Sequence, residues 1–258
     1  MRTLGIMIKK EITESFKGKR LLALVILCVF FALSSPLTAK FMPVIFEQIM
    51  KGQDTGGLTI TMGAAPTYID AYGQFFKNFS QMGILIIMII FMGTVSSEKT
   101  KGTAVLVLTK CVPRHTFILS KYIASVIVFL SAYLISIGIY LYYTYLLFNK
   151  AVDSSSLPAF LFFGLFVLFM LSLTLFSSTV AKSTSMSAAI ILIGFFTLII
   201  INSLPVIKKY SPMTLSGFPY PFPDSNIYGA YSANIITAVV LMILLVGASV
   251  AVFRKQEI

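Results

Sequence analysis

The chain has 258 residues, of which 57% are hydrophobic and only 11% charged, with a formal net charge of +11 and a mean hydropathy of +0.92. That balance excludes an ordinary soluble domain. The basic residues fall in the gaps between apolar runs rather than on one soluble face, which argues for membrane topology and against nucleic-acid binding. Two cysteines, Cys28 and Cys111, are too few for a disulfide framework and have no metal-site spacing, so both read as reduced thiols.

In chain order, residues 1–20 come first, with Leu4, Ile8, Ile12 and Phe16 recurring every four residues while Lys9, Lys10, Glu11 and Glu14 fall elsewhere around the helix. The spacing predicts an amphipathic helix lying in the membrane interface. Six uncharged runs follow: Leu21–Ala39, Phe79–Ser97, Tyr122–Phe148, Leu157–Ala181, Ser183–Leu204 and Ser232–Phe253. Each approaches or exceeds the roughly 20 apolar residues that cross a bilayer as a helix. A short helix around Tyr68–Phe76 is expected in the long, glycine-interrupted connection before the second run.

Six spans put both termini on one side. That side carries fourteen basic residues against four acidic, whereas the other carries six against five. The positive-inside rule therefore places the N- and C-termini in the cytoplasm, in a multi-pass protein of the cell membrane. The last outer connection, residues 205–231, is dense in proline and in the aromatics Phe218, Tyr220, Phe222 and Tyr228. It either re-enters the outer leaflet or lies on its surface, and both readings stay open. Residues 1–258 read as one membrane domain.

The spans lack the ionisable groups that proton- or sodium-coupled carriers place at mid-membrane. They also lack a nucleophile–base pair or a metal cluster, and the single histidine, His115, stands beside Arg114 in a loop, so no catalytic or metal residue is assigned. A phosphate-binding loop needs GxxxxGK followed by Ser or Thr. At the one Gly-Lys pair, Gly18-Lys19, Thr13 stands where the first glycine belongs and Arg20 follows. If ATP drives this protein, another chain hydrolyses it.

Between spans two and three, residues 98–121 read EKTKGTAVLVLTKCVPRHTFILSK. The run Thr103–Thr109 predicts a short helix bounded by Gly102 and Pro113, with an apolar face that needs a partner groove or the membrane interface. The order Glu98-Lys99-x-Lys101-Gly102-Thr103, an apolar helix, Val112-Pro113-Arg114 and Leu119-Ser120-Lys121 resembles the first intracellular loop of ABC type-2 exporter permeases. Two departures stand out: many members place a proline two residues before the arginine, and Ser120 stands where a glycine precedes the lysine. With the six spans, the N-terminal helix and the long last outer connection, the resemblance covers essentially the whole chain.

The resemblance implies an all-α membrane protein of six transmembrane helices, with an N-terminal interfacial helix and a short cytoplasmic coupling helix between spans two and three. It implies a permease, not an enzyme, paired with a second copy or a paralogue and with separate ABC ATPase subunits that bind ATP and magnesium. This chain itself would bind no cofactor. Glu98, Lys99, Gly102, Thr103, Leu106, Pro113 and Arg114 would contact the ATPase, with Glu98 and Arg114 supplying polar contacts, Leu106 an apolar knob, and Gly102 and Pro113 the helix limits. Gly83 and Gly93 of span two, with Ser185, Ser187, Gly194 and Asn202 of span five, are the candidate dimer or pore face. Membrane lipids complete the expected partners. The cargo would be amphipathic or hydrophobic, with a peptide ranked first; the alternative is a channel or assembly protein without ATP coupling.

Overall fold

The computed structural model describes residues 2–51, 66–109, 112–150, 156–217, 229 and 231–256. Among these, every regular element is helical and six stretches are long and apolar enough to cross a membrane. The protein is an all-α membrane protein.

Helix α1 (Arg2–Lys17) precedes the first spanning helix, α2 (Arg20–Lys51). Span two is composite: α3 (Tyr68–Asn78), one π-helical turn (Phe79–Gly83) and α4 (Ile84–Phe91). The short outer helix expected around Tyr68 is thus the start of span two, because a π turn, closed by Ile84 N–H on the Phe79 carbonyl, absorbs a residue without breaking the axis. Helices α5 (Ser96–Thr100) and α6 (Thr103–Leu108) form the loop before α7 (Arg114–Phe148). At roughly 50 Å, α7 is longer than the hydrocarbon core, so two of its turns extend beyond the expected span start at Tyr122.

The chain continues through α8 (Leu157–Val180), α9 (Thr184–Ser203), α10 (Pro205–Lys208), a 3₁₀ turn (Pro212–Ser216) and α11 (Ser232–Lys255). Helix α8 is the most enclosed, packing against α4, α7, α9 and α11. Away from the termini, Tyr72, Phe75, Phe76 and Phe79 of span two interlock with Tyr133 and Tyr140 of α7 and Phe160 and Phe163 of α8 at centroid distances of 4.5–6.3 Å.

Between α9 and α11, the described part of the last connection is fastened down. Leu215 is fully buried, Asn234 Nδ2 donates to the carbonyls of Ser211 and Lys208, and Ser80 Oγ donates to the carbonyl of Ser216. The aromatics Phe218, Tyr220, Phe222 and Tyr228, like Cys111, lie outside the described residues.

Candidate functional site

The loop helices α5 and α6, the starts of α1 and α7, and the end of α11 gather at the termini-bearing end. Span two stops there because its helix opens over Met92–Val95. Open backbone within a membrane needs local partners. Ser178 Oγ of α8 accepts the N–H groups of both Val95 and Ser96, each at 3.0 Å, and donates to Ser96 Oγ. Ser187 Oγ of α9 donates to the carbonyl of Met92 at 2.8 Å. A Cβ on Gly93 would stand 3.3 Å from Thr184 Cγ2, so glycine admits α9 to this break.

Helix α5 then runs into Gly102, whose φ of +70° reverses the chain in a conformation that favours glycine. Helix α6 is anchored by Ala104, buried with Met7, Val95, Phe117, Ile118, Leu175 and Phe253. Its other side is open: Leu106 is 66% exposed, and Thr103 is exposed while its hydroxyl donates to the Glu98 carbonyl. Pro113 adopts an extended conformation and sets the start of α7.

Glu98, Lys99, Arg114 and Lys121 turn inward, whereas Lys101 is exposed. Arg114 Nη1 donates to the carbonyls of Phe253, Arg254 and Gln256 at 3.2, 2.9 and 2.7 Å, capping α11. Phe117 stacks on Phe253 beside it, at 5.1 Å. Lys99 Nζ donates to the carbonyl of Thr179 and to Gln256 Oε1, tying the loop to the ends of α8 and α11. Arg114→Ala should loosen the last turn of α11, raising tryptic cleavage after Arg254 and Lys255 about tenfold in timed digests.

Glu98 is buried, and its Oε1 receives the Lys121 ammonium at 2.6 Å. Lys121, 1% exposed in the second turn of α7, also bonds Glu11 Oε2 of α1 at 3.0 Å and lies 5.0 Å from the Phe117 ring centroid. Lys10 stands 3.4 Å from Glu11 Oε1 and 3.5 Å from Glu14. Burial pulls the Lys10 pKa down, but Glu11, Glu98 and Glu14 together outweigh it and hold the ammonium above the usual lysine range. Glu11, Glu14 and Glu98 are close enough to suggest a metal site, but the lysines already occupy the cation positions among them.

Sequence reasoning read Lys121 as an orientation charge and left Glu11 off the apolar face of α1. The structure docks α1 on α7 through Met7, Glu11 and Ser15, all buried at i, i+4, i+8 spacing. The expected apolar stripe flanks this face: Ile8 and Ile12 are half-buried and Phe16 is 60% exposed. The signal available was one acid in a four-residue stripe, together with a lysine at the threshold of an apolar span.

The expected dimer or pore residues mostly make contacts within the chain. Gly83 admits Phe79 and Phe31, Gly194 admits Leu173 of α8, Ser187 holds the break in span two, and Asn202 Oδ1 accepts from Thr214. Ser185 is exposed at the start of α9.

Over 189 residues the chain is 25% identical to the uncharacterized transmembrane protein YxlG of Bacillus subtilis (strain 168), an overlap covering 73% of this chain and 72% of that protein. The family described as ABC-2 family transporter protein matches residues 6–258. Six apolar helices and a match spanning nearly the whole sequence agree: the chain belongs to the ABC-2 transporter family, as a membrane-spanning permease subunit of the kind that works with an ABC ATPase.

Proposed function

We propose that this chain couples ATP hydrolysis by a separate ABC ATPase to export, and that α6 is the element the ATPase grips. The observation that carries the reading is an outward-facing Leu106 on a short helix whose opposite side is fixed by Ala104 in an apolar cluster. A helix fixed on one side and apolar on the other fits a partner groove, with Leu106 as its knob. Lys99 and Arg114, expected at the partner surface, serve this reading from within, holding the loop to α8 and α11.

In this reading the loop and both termini are cytoplasmic, in keeping with the excess of basic residues there. ATP and magnesium bind the partner. A second permease copy completes the transport path, as the family resemblance implies. The apolar spans suit an amphipathic or hydrophobic cargo, of which a peptide ranks first.

Leu106→Asp should reduce co-purification of the ATPase subunit at least tenfold, about 1.4 kcal/mol or more of binding energy, while the variant keeps the wild-type elution volume. Unchanged assembly together with unchanged vanadate-sensitive transport would refute the coupling role and favour a channel or assembly protein.

A further inference from the structure

We infer that Lys121 is the positioning residue that joins α1 and α7 to the coupling loop, so that a pull on α6 moves all three together. The inference rests on the ATPase-docking role proposed above for α6. Three elements distant in sequence meet at one ammonium: Glu11 comes from α1, Glu98 from α5, and Lys121 from α7.

The chemistry of this node differs from that of its surroundings. Met7, Val95, Ala104 and Phe117 of the same segments share an apolar cluster, but apolar contacts are non-directional and allow one helix to slide on another. Two short, buried, charge-assisted bonds converging on one nitrogen fix register and distance, because separating either pair leaves a charge unpaired away from water.

The partners are also unequal. Glu11 has a second cation, since Lys10 reaches its other oxygen, whereas Glu98 Oε2 is buried with no partner among the described residues. Among the described residues Glu98 makes its direct ion pair with Lys121, and Lys10 of α1 adds only a longer-range attraction, so Lys121 is the direct ionic link between the loop and α1. Through it, displacement at α6 reaches a helix that holds none of the expected ATPase contact residues.

The test needs no knowledge of the cargo. The complete complex with its ATPase subunit, in lipid nanodiscs, is compared by amide hydrogen exchange without nucleotide and after trapping with ATP and vanadate. In the native protein, trapping should change exchange by about threefold or more both in α6 and in residues 5–17 of α1. The neutral triple variant Glu11→Gln/Glu98→Gln/Lys121→Met keeps the packing volume without charge, and should keep the α6 response while losing that of α1. Glu98→Gln alone, which spares the Glu11–Lys121 pair and leaves Lys121 only a weaker, neutral acceptor on α5, should weaken the α1 response in part, and Lys121→Arg should preserve it. An α6 response with a silent α1 in the native complex, or an undiminished α1 response in the triple variant or in Glu98→Gln, overturns the inference and leaves the docking role standing. Silence in α6 itself overturns both.

Discussion

Lys121→Met should lower the unfolding free energy by about 3–5 kcal/mol, the scale seen when one partner of a buried ion pair is removed. The ammonium is 1% exposed and bonded to both Glu11 and Glu98, and methionine would fill its volume while leaving two buried carboxylates facing each other. Their repulsion and lost hydration both act against the fold. Glu98→Gln should cost less, about 1–3 kcal/mol, because Lys121 keeps Glu11 and the amide oxygen still accepts its hydrogen bond. Removing all three charges in the Glu11→Gln/Glu98→Gln/Lys121→Met variant should recover most of the loss, since burying two neutral amides costs far less than burying two unpaired carboxylates. Unfolding midpoints in detergent, measured for the three variants side by side, check the order. A triple variant no better than Lys121→Met would mean that the cluster acts through shape rather than charge.

The spans were legible because each apolar run has one dominant reason to exist, the thickness of the bilayer, and their order within the chain follows directly. Gly102 likewise announced the start of α6, since a left-handed turn is a local requirement, but α6 ends at Leu108, well before Pro113, which instead marks the start of α7. What escaped was everything set by contacts between distant segments. Tyr68–Phe76 read as a loop helix because Asp70, Gln74, Lys77 and Asn78 interrupt the hydrophobicity of the segment; its continuity with span two depends on the π turn and on aromatic packing against Phe160 and Phe163. Arg114 is a partner contact by the resemblance, and nothing near it in sequence points inward, because only the return of α11 supplies the carbonyls it caps. Lys121 read as a topology signal for the same reason: its two acids lie 110 and 23 residues away along the chain.

Ser178→Ala should destabilise the protein by about 2–4 kcal/mol, the order expected when two buried donors lose their acceptor. Serines are frequent on α8 and most of their hydroxyls merely return to their own helix, as Ser172 Oγ does to the Phe169 carbonyl and Ser177 Oγ to that of Leu173. Losing such a bond leaves a carbonyl that the helix already satisfies, so Ser172→Ala should cost under about 1 kcal/mol despite equal burial. Ser178 differs in direction: it crosses to span two and receives the N–H groups of Val95 and Ser96, which the break after Phe91 leaves without helical partners. Alanine there would expose two donors to an apolar interior, and the backbone would have to shift to satisfy them. Because α5 and α6 hang from this break, the same change should raise amide exchange at Val95 and Ser96 about tenfold while leaving the aromatic cluster at the opposite end protected. Equal costs for Ser172→Ala and Ser178→Ala would show that the break is held by packing alone, and that the loop's anchorage comes from Lys99, Arg114 and Lys121.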